Sequence, residues 1–160
     1  MIATVYEMEI KEQLNSEFRT EQRIALVNLY EIFIERKLQI YLTEKQKADT
    51  TNPSAPDYLE NLKQIYLTNF VKCALIGTLT PPMLKSLQNR KIEEDIRPFL
   101  VKIQTGKEKK TGIIMNVVDG KPQFIYRTFA EYFRARWFSR NFKFNRGVLE
   151  RIFLTLDIGS

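Results

Sequence analysis

The sequence predicts a mainly α-helical protein with one β-hairpin: a helical bundle plus a winged-helix-like module. Three observations lead there. Apolar residues recur at three- and four-residue intervals through most of the chain, a single strand-like section surrounds Asp119-Gly120, and helical patterning resumes after it. The 160 residues are 44% hydrophobic and 28% charged, a length that suits one ordinary domain or part of something larger. Such a composition is too apolar for a disordered chain.

Residues 1–15 read as a helix with Ile2, Val5, Tyr6, Met8, Ile10 and Leu14 on its apolar face. No capping residue precedes it, so it looks like a helix entered halfway, as it would be in a fragment of a longer protein. Glu7 and Glu9 interrupt the apolar run, which argues against a signal peptide. A second helix is expected over Glu21–Lys47, where Leu26, Tyr30, Ile34, Leu38 and Leu42 form a stripe with Leu29, Phe33 and Tyr41 beside it. That stripe is wide enough to bury against two neighbours, with Glu31, Glu35, Arg36 and Lys37 facing water. Asp49–Pro56, with two prolines and small polar residues, reads as a loop.

A third helix should start near Asp57 and carry Tyr58, Leu62, Ile65, Tyr66, Phe70, Cys73 and Ile76 inward, to end at Gly77. Cys73 on that stripe is a packing residue, with no cation or imidazole to activate it. Thr80-Pro81-Pro82 opens a short helix through Met83, Leu84 and Leu87. Lys91–Gln104 forms another, with Ile92, Ile96, Phe99, Leu100 and Ile103 inward and Pro98 imposing a kink or a division into two. Thr105–Gly112 reads as a solvated charged loop. It lacks the GxxxxGK[ST] spacing of a phosphate cradle, because Gly112 is followed by Ile113.

Ile113–Val118 and Gln123–Tyr126 flank Asp119-Gly120, a strong hairpin signal, and Lys121-Pro122 either lengthens the turn or starts the second strand at an edge. Thr128-Phe-Ala-Glu131 then reads as a capping box, followed by an aromatic face of Phe129, Phe133 and Trp137 with Glu131 and Arg134 paired opposite it. A separate short helix is expected over Val148–Leu154. The organisation expected is a helical segment 1–54, a winged-helix-like module 55–126 with its hairpin at 113–126, and C-terminal helices 127–160 packing on the hairpin.

Composition excludes much chemistry. There is no histidine, which removes imidazole-based triads, proton shuttles and most metal sites, and the single cysteine allows neither a disulfide framework nor a zinc knuckle. No uncharged run approaches the about 18 apolar residues of a membrane span. The carboxylates Glu93-Glu94-Asp95 and Glu7/Glu9 have no accompanying nucleophile or metal ligand, so no catalytic residue, metal site or cofactor is expected. A cytoplasmic setting follows from the same features.

The stretch GKPQFIYRTFAEYFRARWFSRNF, through Phe124, Thr128, Phe129, Glu131, Tyr132 and Phe133, resembles the winged-helix end of NACHT-type STAND ATPases. Upstream, Asn28-Leu-Tyr-Glu-Ile-Phe-Ile-Glu-Arg-Lys37 is similar to that family's LYExFVExK helix. Met1–Val5 resembles the tail of the helix closing the nucleotide-binding core. The similarity looks closest to insect proteins that join a NACHT module to ankyrin repeats. It implies a signalling or innate-immunity-like regulatory segment that clamps the nucleotide domain at rest and transmits its opening to the repeats. Two departures accompany it. The phosphate-binding loop and the acidic Mg²⁺ strand are absent, and Tyr126 stands where the family has a nucleotide-sensing histidine. The resemblance therefore implies a protein-interaction module without ATP chemistry, whose partner is the nucleotide-binding domain or repeat array of a related chain.

Residues 127–146 carry Arg127, Arg134, Arg136, Arg140, Lys143 and Arg146 against Glu131 alone, a net +5 in a chain of net +6. Interleaved with Tyr132, Trp137, Phe138, Phe142 and Phe144, this segment supports a rival expectation, a nucleic-acid-binding winged helix. The interaction candidates in either use are Arg127, Glu131, Arg134, Arg136, Trp137 and Arg140. Against the rival, the helix before the wing, which would enter the groove, carries Glu93, Glu94 and Asp95.

Overall fold

The computed structural model describes residues 17–45, 54–87, 91–108 and 111–158; the helix expected over 1–15 and most of the loop 49–56 lie outside them. Helix α1 spans Glu17–Ile40 and passes into a π-helical turn, Tyr41–Lys45, so the α-helix expected to reach Lys47 changes type earlier. Ile34, Leu38, Tyr41 and Leu42 are all buried. The wide turn, with its extra residue, sets Tyr41 and Leu42 side by side against the core. The other edge of the expected stripe is not covered, because Leu29 and Phe33 are exposed.

Helix α2, Ala55–Thr78, begins with Pro56 in its first turn, where the missing N–H would have no helical partner in any case. Leu59, Tyr66, Leu67, Phe70, Cys73, Ala74, Leu75 and Ile76 are buried, whereas Tyr58 and Ile65, expected inward, face solvent. Burial raises the Cys73 thiol well above its ordinary range, as a packing residue requires. Helix α3, Pro81–Ser86, seats Met83 and Leu84. Helix α4, Ile92–Gln104, runs as one element through Pro98, which is exposed and so withholds its N–H on the solvent side.

Strands β1 (Ile114–Val118) and β2 (Lys121–Phe124) form a two-stranded antiparallel sheet, pairing Val118 with Lys121 and Val117 with Pro122, with an irregularity between Ile114 and Asn116. The second strand therefore starts at Lys121, two residues before the expected Gln123, and ends before Ile125 and Tyr126. Asp119 (φ 50°) and Gly120 (φ 73°) both adopt the left-handed conformation that a two-residue hairpin turn demands. Gly77 lets α2 approach β2 closely: a Cβ there would lie 3.2 Å from the carbonyl oxygen of Pro122.

One helix, α5, occupies Arg127–Ile158, so the separate helix expected over Val148–Leu154 does not exist. A lone Gly147 costs a helix only about 1 kcal/mol, and the burial of Leu149 and Ile152 beyond it offsets that. The start of α5 also differs from expectation. It begins at Arg127, with the N–H of Phe129 donating to the Tyr126 carbonyl at 3.0 Å, so Thr128 sits inside the first turn and not at a cap. In place of the capping box, Glu131 accepts from Arg127 Nε at 2.8 Å. Over the described residues the protein is thus mainly helical with one hairpin, which follows α2, α3 and α4 in the chain and precedes α5.

The turn supplies a clean test. A Cβ on Gly120 meets no atom within 4 Å, so substitution there changes backbone preference alone. Gly120→Ala should lower stability by about 1–2 kcal/mol in urea titrations, with an unchanged dependence on denaturant.

Candidate functional site: the junction of α1, α5 and the hairpin

The Asn28–Lys37 and Thr128–Phe133 motifs lie far apart in sequence and meet in the fold. Tyr30 on α1 stacks on Tyr132 (centroids 5.8 Å apart) and meets Phe129 edge-on at 6.3 Å, while Phe33 stacks on Phe129 at 5.9 Å. A polar triangle closes this contact. Arg136 Nη1 donates to Tyr132 Oη at 3.0 Å and to Glu31 Oε1 at 3.4 Å, and Tyr132 Oη donates to the same Glu31 oxygen at 3.3 Å. Burial raises the Tyr132 phenol above its ordinary range, and Arg136 acts in the opposite direction. The phenol therefore stays a donor.

The α5 candidates divide into three groups. Glu131 is buried and holds Arg127, whose own side chain is 88% exposed, so Glu131 does not lie on a solvated face opposite the aromatic residues. Arg134 and Trp137 are half-buried, and Trp137 packs on the core beside Phe138. Arg136 is committed to the triangle, and Arg140 and Lys143 are exposed. Tyr126 stands exposed at the end of the hairpin with its ring edge-on to Phe129 at 5.5 Å. Helical geometry places Arg127 and Arg134 on roughly the opposite side of α5 from Arg136, Arg140 and Lys143. Carboxylates neutralise three of the cations: Arg127 pairs with Glu131, Arg136 with Glu31 and Arg146 with Glu150. The side chains of Phe142 and Phe144 lie outside the described residues.

A second polar cluster was not visible in the sequence. Glu108, expected on a solvated loop, is buried, and its Oε2 accepts from Tyr41 Oη and Tyr66 Oη, each at 2.8 Å. Desolvation, the Tyr41 hydrogen bond and the nearby carboxylate push the Tyr66 phenol far above its ordinary range. The available clue was two tyrosines on apolar stripes, each needing an acceptor for its hydroxyl. Nothing distinguished Glu108 from its charged neighbours as that acceptor. The cluster ties the segment after α4 to the π-helical turn and to α2.

Between the hairpin and α4 lies a half-open groove of about 360 Å³, whose lining includes Leu79, Leu100 and Val117 with Glu93, Arg97 and Lys121. Among the described residues, no group of His, Cys, Asp and Glu side chains is placed to hold a metal ion, and no helix is long and apolar enough to cross a membrane. Compared with family models, curated proteins and solved structures, the chain has no match in any of the three.

Removing Glu108 takes away the acceptor shared by two buried hydroxyls and leaves them only each other, so Glu108→Ala should cost about 1–3 kcal/mol, and Glu108→Gln less, because an amide oxygen still accepts. A Tyr66 phenol that stays protonated in the fold contributes stability that is complete below its unfolded pKa of about 10 and is lost as the pH rises beyond it. Wild-type stability should therefore fall more steeply than that of Tyr66→Phe between about pH 9.5 and 11.5, and equal slopes in denaturant titrations would remove that assignment. At the junction, a double-mutant cycle of Glu31→Ala and Arg136→Ala should return a coupling of about 0.5–1 kcal/mol.

Proposed function

We propose that this chain is a non-catalytic regulatory and protein-interaction module of the NACHT-type STAND kind, working in signalling in the cytoplasm. One observation carries the proposal. The two motifs on which the resemblance rests meet: Tyr30, Glu31 and Phe33 on α1 pack against Phe129 and Tyr132 on α5 through stacked rings and the Glu31–Tyr132–Arg136 triangle. A residue pattern shared with a family for reasons of architecture should look like this, its members touching. A rigid junction between α1 and α5 is also what a relay needs, because a push on one helix moves the other instead of dissipating in a loop.

The segment after α4 supports the motorless form of the proposal. Its Glu108 carboxylate is turned into the core onto two tyrosine hydroxyls, and Gly112 is followed by Ile113 where a phosphate-binding loop has its lysine. Tyr126 supplies a neutral phenol at the family's histidine position. The partner is the nucleotide-binding domain or the repeat array of a related chain. Nucleic-acid binding is disfavoured by the two-sided, partly neutralised distribution of cations on α5 and by the exposed Glu93, Glu94 and Asp95 on α4.

A fluorescent ADP or ATP analogue titrated with Mg²⁺ should give no saturable signal at micromolar concentrations. Binding tighter than about 10 μM, near −7 kcal/mol, would contradict a motorless module.

A further inference from the structure

We propose that the half-open groove between α4 and the hairpin binds a free α-amino acid with a large apolar side chain. The groove holds about 360 Å³, near the lower end of the range for ligand pockets, about 300–1,000 Å³. Leu79, Leu84 and Val117 are buried beneath it and Leu100 is half-buried beside them, so its floor is hydrocarbon. Glu93, Arg97, Leu100 and Gln104 recur at helical spacing and turn one stripe of α4 toward the groove. The hairpin turn brings Asp119 and Lys121 to the opposite rim, and the left-handed pair Asp119 and Gly120 fixes where they stand.

Charge selects the ligand class. The four charged side chains that line the groove are Glu93, Arg97, Asp119 and Lys121, all exposed, and among the described residues none of them is engaged in an ion pair. Asp95, on the same helix, is directed elsewhere and holds Lys72 at 3.2 Å. Two cations and two anions thus face one apolar floor. A phosphate would meet both carboxylates there, and a metal ion both cations. A zwitterion satisfies both signs, its carboxylate on the fork of Arg97 and its ammonium on Glu93, one helical turn away. The floor takes the side chain, whose burial supplies the attraction that exposed ion pairs lack. The interior of a polypeptide offers no backbone charge of either sign, which favours a free amino acid over a protein segment as the occupant.

The interaction-module reading does not depend on this site, and the two fail separately. Backbone amide spectra of the full chain, titrated with phenylalanine or leucine, should shift at residues 117–121 and along the groove side of α4, and should saturate with a Kd of about 1 mM or tighter. N-acetylphenylalanine and phenylalanine amide each lack one of the two charges and should bind about fivefold more weakly, the scale of one exposed ion pair. Glycine, with both charges and no side chain, should not saturate. Arg97→Gln should weaken phenylalanine about fivefold and leave phenylalanine amide unchanged, because that ligand offers Arg97 no carboxylate. Glu93→Gln should weaken phenylalanine while sparing N-acetylphenylalanine. Both side chains are exposed, and circular dichroism of each variant should match wild type. No saturable shift with either amino acid, shifts centred away from the groove, or equal binding of the blocked forms would overturn the proposal. So would inorganic phosphate binding as tightly as phenylalanine, which would assign the groove to an anion.

Discussion

The packing of Phe133 on α5 against Phe70 on α2 is the contact on which the other arrangements depend. Both side chains are fully buried, with ring centroids 5.5 Å apart, and Phe133 also meets Phe124 of the hairpin at 6.3 Å. Two helices and the hairpin therefore meet at one side chain. Ring contacts lead outward from it in both directions. Phe70 passes through Phe99 and Tyr66 to Tyr41, and Tyr132 leads through Tyr30 and Phe129 to Phe33 and Tyr126. Aromatic pairs gain from edge-on and offset geometry beyond simple burial. A chain of such pairs fixes mutual angles as well as distances between the elements that supply them.

Polar groups mark the two ends of this aromatic path. At the inner end a carboxylate sits between two phenols, and at the outer end a carboxylate, a phenol and a guanidinium form a triangle. Both rely on tyrosine for the same reason: its ring joins the apolar packing while its hydroxyl reaches a partner. Directional groups of this kind disfavour the many alternative ways in which an all-hydrocarbon core can pack. Tyr41 and Glu108 in particular hold the segment after α4 in place, and the π-helical turn presents Tyr41 at the end of α1.

How much was legible in the sequence depended on whether the signal was local. The hairpin was, because Asp119-Gly120 between β-rich runs leaves a tight turn few alternatives, and so was the short helix opened by Pro81-Pro82. The helices described before the hairpin followed from periodicity, apart from the π-helical turn that ends α1. Long-range competition decided what was missed. Gly147 reads as a break until Leu149 and Ile152 find a core to enter, and Thr128 reads as a cap until Arg127 extends the helix by a turn's edge. Glu108 looked solvated because its two hydrogen-bond donors come from residues 67 and 42 positions away in the chain. Leu29 and Phe33 looked buried because an apolar stripe does not reveal how much of its width will meet a neighbour. Of the interaction candidates, Arg136 gained a defined role only when Glu31 arrived from another helix.

Trp137 is the single indole in the chain. It sits about a third of the way along α5, half-buried where that helix leans on the core. Its emission wavelength consequently reports the wetting of one face of one helix, with no second fluorophore of its kind to dilute the signal. Any event that loosens α5 from the bundle announces itself optically, without a label.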